Sequence, residues 1–132
     1  MACILVIDDE SMVRQLLDNI LSRAGHQVLL AADGVEGGEL FRQELPALVI
    51  TDMSMPRRNG LETIQDIRSC DPDAGILAIS GNSSPAGVDL STLSHTFPGV
   101  RTLHKPFRRR ELLEVVDALL GESRPPWKAS VT

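Results

Sequence analysis

Five short aliphatic runs, separated by segments of helical periodicity, predict an α/β fold: a doubly wound, five-stranded parallel sheet with helices on both faces. Three observations carry that prediction. The runs at residues 4–7, 28–32, 48–51, 76–79 and 100–104 are rich in Ile, Leu and Val, as strands buried between two helical layers should be. The segments between them repeat apolar residues every three or four positions. The 132 residues, 42% apolar and 23% charged, suit one domain with an ordinary core.

Taken in order, Ile4 to Ile7 is the first strand. Ser11 is a suitable N-cap, and Val13, Leu16, Leu17, Ile20, Leu21 and Ala24 then share one helical face. Gly25 stops that helix as a residue just past the C-cap would. Val28 to Ala32 is the second strand, closed by Asp33-Gly34, and residues 35–44 are helical through Leu40 and Phe41. Gly37 and Gly38 oppose that helix by about 1 kcal/mol each relative to alanine. Leu48 to Thr51 is the third strand. Asn59 caps a helix carrying Leu61, Ile64 and Ile67, which Asp71-Pro72-Asp73 breaks. Ile76 to Ile79 is the fourth strand, and the Gly-, Ser- and Pro-rich residues 81–99 leave room for a short helix near 87–95. Val100 to His104 is the fifth strand. Leu112, Val115, Val116, Leu119 and Leu120 form the last amphipathic face, ending at Gly121. The expected division is a domain over residues 1–121 and a C-terminal tail over 122–132.

Composition excludes several classes. A formal net charge of −5 argues against general nucleic-acid binding. Cys3 and Cys70 make no disulfide framework and have no metal-ligand spacing, so a reducing compartment is expected. The apolar start MACILVI meets Asp8 and Asp9 before it reaches the length of a signal core, and no run approaches a membrane span. A cytoplasmic protein with no membrane contact is the expectation.

In a doubly wound sheet the functional crevice lies beyond the carboxyl ends of the strands. Here those ends carry Asp8-Asp9, Asp52, Ser80-Gly81 and His104-Lys105-Pro106. If strands one, three, four and five lie side by side, three carboxylates, a hydroxyl and an ammonium converge. Two carboxylates about 4 Å apart repel by roughly 4 kcal/mol at an effective dielectric near 20. Lys105 offsets part of that, and a hard cation offsets more; oxygen-only ligands suit Mg²⁺. A carboxylate nucleophile flanked by cations describes a phosphoryl-transfer site.

The set Asp8-Asp9, Asp52, Ser80 and Lys105-Pro106-Phe107 resembles the receiver domain of two-component response regulators, of the single-domain chemotaxis type. The loop from Asp52 through Ser54 and Pro56 to Gly60 is similar too, and the resemblance covers residues 3–121. It implies the flavodoxin-like strand order 2-1-3-4-5. It implies that Asp52 accepts a phosphoryl group from a histidine kinase or histidine phosphotransfer protein. Mg²⁺ would be held by Asp9 directly, by Asp8 through water, by Asp52 and by the Ser54 carbonyl. Lys105 would hold a phosphoryl oxygen, with a cis bond to Pro106. Ser80 would bond another oxygen, and the loop from Gly81 would follow it, changing the face formed by the 87–95 segment, the fifth strand and the last helix. Such a protein is not an enzyme acting on a separate substrate.

One position departs from the pattern. The aromatic switch residue usual three positions before the lysine is here Thr102, and the chain has no tyrosine. That departure sustains an alternative, an interaction module that keeps the fold without phosphorylation. Each residue alone also has a duller explanation: Asp8-Asp9 as a helix cap, Asp52 as a turn residue, Ser80 as a loop serine, Lys105 as a solvated lysine. Their joint placement at one edge of the sheet favours the site. Finally, Arg101, Arg108, Arg109 and Arg110 cluster with Lys105 on an otherwise acidic chain. They suit an acidic downstream protein surface more than direct nucleic-acid recognition.

Overall fold

The computed structural model describes residues 2–53, 60–80, 97 and 99–122. Five strands form one parallel sheet: β1 (Cys3–Ile7), β2 (Gln27–Ala31), β3 (Leu48–Asp52), β4 (Gly75–Ser80) and β5 (Arg101–His104). Their order is β2-β1-β3-β4-β5, as expected. The helices are α1 (Ser11–Arg23), α2 (Gly34–Glu44), α3 (Gly60–Cys70) and α4 (Arg109–Glu122). The expected cap at Asn59 and the short helix near 87–95 lie outside the described residues.

The strands divide their side chains between two cores because successive residues point to opposite faces. Leu5, Ile7, Val49, Ile76 and Ala78 pack with Phe41 of α2 and with Ile64 and Ile67 of α3. Ile4, Val6, Leu48, Ile50, Leu77 and Ile79 pack with Leu17 and Leu21 of α1 and with Leu112, Val116 and Leu119 of α4. The three central strands are the better covered: β3 and β4 are buried throughout and β1 nearly so, whereas the edge strands expose Gln27 and Leu30 of β2 and Arg101 and His104 of β5.

Several boundaries shift for identifiable reasons. Glu10, not Ser11, is the N-cap of α1, and its side chain makes no capping bond. The turn is set one step earlier, where Asp8 Oδ1 accepts the Glu10 N–H at 2.9 Å. Leu16, expected on the buried face of α1, is 52% exposed, since the core is met by Leu17 and Leu21. Gly25 ends α1 as expected, at φ +94°, with Gly25 N–H donating to Ser22 O and His26 N–H to Leu21 O. Strand β2 stops at Ala31 because the Ala32 N–H leaves the ladder and donates to Glu36 Oε1, while Asp33 Oδ1 accepts from Glu36 N. That reciprocal pair caps α2. Strand β5 begins at Arg101, not Val100, whose N–H donates to Phe97 O. Helix α4 runs through Gly121 to Glu122.

Gly37 has a reason that helix propensity hides. A Cβ there would collide with Ile7 Cδ1 and stand 2.7 Å from Ile7 Cγ1, so a bare backbone lets α2 lie close against β1.

Candidate functional site

Parallel pairing aligns the strand ends at one edge of the sheet. Strand β3 ends on Asp52, held level with Ile79 of β4, and Met53 N–H donates to Ile79 O beyond it. Asp8 follows β1, its N–H donating to Ala31 O. Lys105 follows β5, its N–H donating to Ser80 O at 2.8 Å, and the Lys105-Pro106 peptide is cis. The backbone therefore delivers two acids and a lysine from three different strands.

Their side chains meet. Lys105 Nζ stands 3.7 Å from Asp8 Oδ2 and 3.8 Å from Asp52 Oδ2. Asp8 and Asp52 are buried, at 1% and 4% exposure, whereas the lysine side chain keeps 25% of its surface. One ammonium thus bridges two carboxylates that have lost most of their water. Burial pushes the Asp8 carboxyl up to about 6 from an ordinary 3.8. The Glu10 N–H bond works against that rise, Asp52 adds to it, Lys105 opposes it, and Asp9 adds further. Arg14 Nη1 donates to the Asp8 carbonyl at 2.6 Å and fixes the backbone of that turn.

Asp9 is exposed beside Asp8, and with Glu10 the three carboxylates offer oxygens within 4.8 Å of one another. Glu10 is a donor beyond the expected set, and its signal in the sequence is the unbroken acidic run Asp8-Asp9-Glu10. This all-oxygen donor set is the chemistry of a hard divalent cation. The residues present fit Mg²⁺.

Ser80 is buried at the end of β4, 1% exposed, with Oγ 3.3 Å from His104 Nδ1. Thr102 lies on β5 level with Ala78 and is half-buried. Ser54 and Gly81, both expected in the site, lie outside the described residues. Arg101, Arg108, Arg109 and Arg110 are all exposed. Arg109 and Arg110 open a shallow groove along α4 that continues past Leu113 to Glu114 and Asp117, so the face is of mixed charge beyond its basic start. Glu111 Oε1 accepts the Arg108 N–H, which caps the helix as well as offsetting the arginines. Among the described residues no helix is long and apolar enough to cross a membrane.

A family profile described as response regulator receiver domain matches residues 4–117. The chain belongs to that family. Among its relatives, this receiver domain is 36% identical to the response regulator MprA of Mycobacterium leprae and 38% identical to the MprA of Mycobacterium sp. strain KMS, each over 126 residues. Those matches take in 92% of this chain and 52% of each relative, so the receiver spans about half the length of the relatives it matches. Among solved structures it is similar to a response regulator receiver domain protein from Clostridium thermocellum, with TM-score 0.81, 29% identity and coverage of 92% and 95% of the two chains. The chemotaxis protein CheY4 of Vibrio cholerae superposes with TM-score 0.81 at 27% identity, over 90% of this chain and 98% of that one. The flavodoxin-like receiver fold expected from sequence is thus the fold observed.

Proposed function

We propose that this receiver accepts a phosphoryl group on Asp52 from a phosphohistidine of a histidine kinase or phosphotransfer protein, in a Mg²⁺-dependent reaction. The observation that carries the reading is the bridging of buried Asp8 and Asp52 by Lys105 at the tips of three strands. A purely structural ion pair would need one carboxylate. Two buried acids around one lysine leave a net negative pocket that suits a cation and a transferable phosphoryl group.

An Asp52 carboxylate oxygen attacks the phosphorus, the N–P bond to the donor imidazole breaks, and the ring nitrogen keeps the electron pair. Asp8, Asp9, Asp52 and the Ser54 carbonyl would hold the magnesium, which when bound supplies charge neutralisation for the incoming phosphoryl oxygens. Lys105 Nζ, already 3.8 Å from Asp52, would hold one of those oxygens as the acyl phosphate forms. Ser80 would donate its hydroxyl to another. The receiver turns over no separate substrate; the acyl phosphate on its own carboxylate is the product and, on hydrolysis, the resting state returns. The consequence is a changed surface around β5, α4 and the segment from Gly81, presented to a downstream protein partner with no direct nucleic-acid contact. A cytoplasmic location follows from kinase chemistry of this kind.

The test is intact-protein mass spectrometry with acetyl phosphate and Mg²⁺. The wild type gains one phosphoryl group, and Asp52→Asn or chelation of the metal prevents the gain. A wild-type protein that never gains phosphate under these conditions leaves the phosphorylation-independent module, which Thr102 keeps open, as the better reading.

A further inference from the structure

Ser80 and His104 are level with each other across β4 and β5, and Ser80 Oγ lies 3.3 Å from His104 Nδ1. The serine is 1% exposed, whereas the imidazole belongs to an exposed residue. A serine hydroxyl has one proton to donate. An exposed neutral imidazole with its proton on Nε2 leaves Nδ1 bare, facing that hydroxyl. In that tautomer Nδ1 can accept the Ser80 proton, the same proton that an acyl phosphate at Asp52 would need.

We propose that His104 is a positioning residue that holds the Ser80 hydroxyl, so that a phosphoryl group on Asp52 must compete with the His104 imidazole for it. This rests on the reading of Asp52 as phosphoryl acceptor. With threonine at position 102, the ring that β5 brings to Ser80 is the imidazole of His104. When Ser80 turns inward, the imidazole regains water at little cost because it already stands at the surface. Removing the imidazole strands the buried hydroxyl without its acceptor and makes the phosphoryl oxygen a better partner.

The experiment uses beryllofluoride with Mg²⁺ as an equilibrium mimic of the phosphoryl group, and ¹⁵N spectra of the imidazole. In the metal-free wild type, His104 shows the Nε2–H tautomer, and Ser80→Ala moves its Nδ1 resonance; beryllofluoride with Mg²⁺ moves it in the same direction. His104→Val lowers the half-saturating beryllofluoride concentration by roughly two- to fivefold, the scale of one modest hydrogen bond. His104→Asn, which can place an oxygen near the Nδ1 position, restores the wild-type value. In a Ser80→Ala background, His104→Val has no further effect. An imidazole indifferent to Ser80→Ala, or a His104→Val effect that persists without the Ser80 hydroxyl, overturns the proposal. Failure of acetyl phosphate to modify Asp52 overturns the receiver reading and this competition with it; modification of Asp52 with an unresponsive His104 overturns this inference alone.

Discussion

Asp8 concentrates the conflict between folding and function in one side chain. Its carboxyl is buried, accepts the Glu10 N–H, and is pushed up to about 6, while an unfolded chain returns it to 3.8. The raised value means that the folded state binds more protons than the unfolded state between those two points. The contribution of Asp8 to stability is therefore complete below the unfolded value and is lost as pH rises through about 6. Asp8→Asn keeps an acceptor for the Glu10 N–H and removes the ionisation. In metal-free protein the variant should match the wild type near pH 4 and exceed its stability by about 1–3 kcal/mol near pH 7. Urea unfolding of both proteins across that range checks this, and an advantage that does not grow with pH would reject the burial account. The same substitution weakens the candidate magnesium site, so the stabilised protein should also be the poorer phosphoryl acceptor. The place of Asp8 at a strand end is legible in the sequence, whereas the 1% exposure that sets its chemistry is a product of tertiary packing.

At the scale of elements, the central strands were legible because burial on both faces imposes an unbroken apolar run, as Ile4–Ile7 and Ile76–Ile79 show. The ends were less legible because they depend on single hydrogen bonds. Glu36 drawing Ala32 out of β2, and Asp8 fixing the entry to α1, leave no periodic trace. Helix α2 shows the limit most clearly. Its two adjacent glycines carry the same propensity penalty, yet their surroundings differ. A Cβ on Gly37 would strike buried Ile7, whereas one on Gly38 would meet only the Arg42 guanidinium nitrogens at 3.8 and 3.9 Å. Gly38→Ala should stabilise the domain by up to about 1 kcal/mol, the helix-propensity difference. Gly37→Ala should destabilise it by about 1–3 kcal/mol, since overpacking against a close-packed strand outweighs that gain. Thermal unfolding of the pair decides it: equal effects of the two substitutions would mean that α2 has room to move off β1.

Over the whole molecule, parallel register converts scattered residues into a site. Asp8 and Lys105 lie 97 positions apart in sequence with Asp52 between them, and the three meet because β1, β3 and β5 all end at the same edge. That convergence was readable from the strand-end rule. The choice of partners within it was not: Lys105 pairs with Asp8 and Asp52, while Asp9 sits in the exposed acidic run. Such an edge lowers the stability of the empty fold, because buried acids outnumber the lysine between them, and a cation that binds only the folded state should return it. At a magnesium concentration about 100 times the dissociation constant, the gain is about 2.7 kcal/mol. Because bound carboxylates must be ionised, that gain depends on pH. An ordinary carboxylate set would keep most of its magnesium response down to about pH 5, whereas a site containing Asp8 should lose much of it between about pH 7 and pH 5. The expected result is a magnesium-induced rise in unfolding temperature that is large near neutrality, shrinks as the medium is acidified through the Asp8 range, and is smaller in Asp8→Asn near neutrality, with the two proteins converging toward about pH 5. Calorimetric scans with and without the metal measure it directly. A magnesium response of constant size across that range would place the cation away from Asp8 and dissociate the buried ion-pair cluster from metal binding.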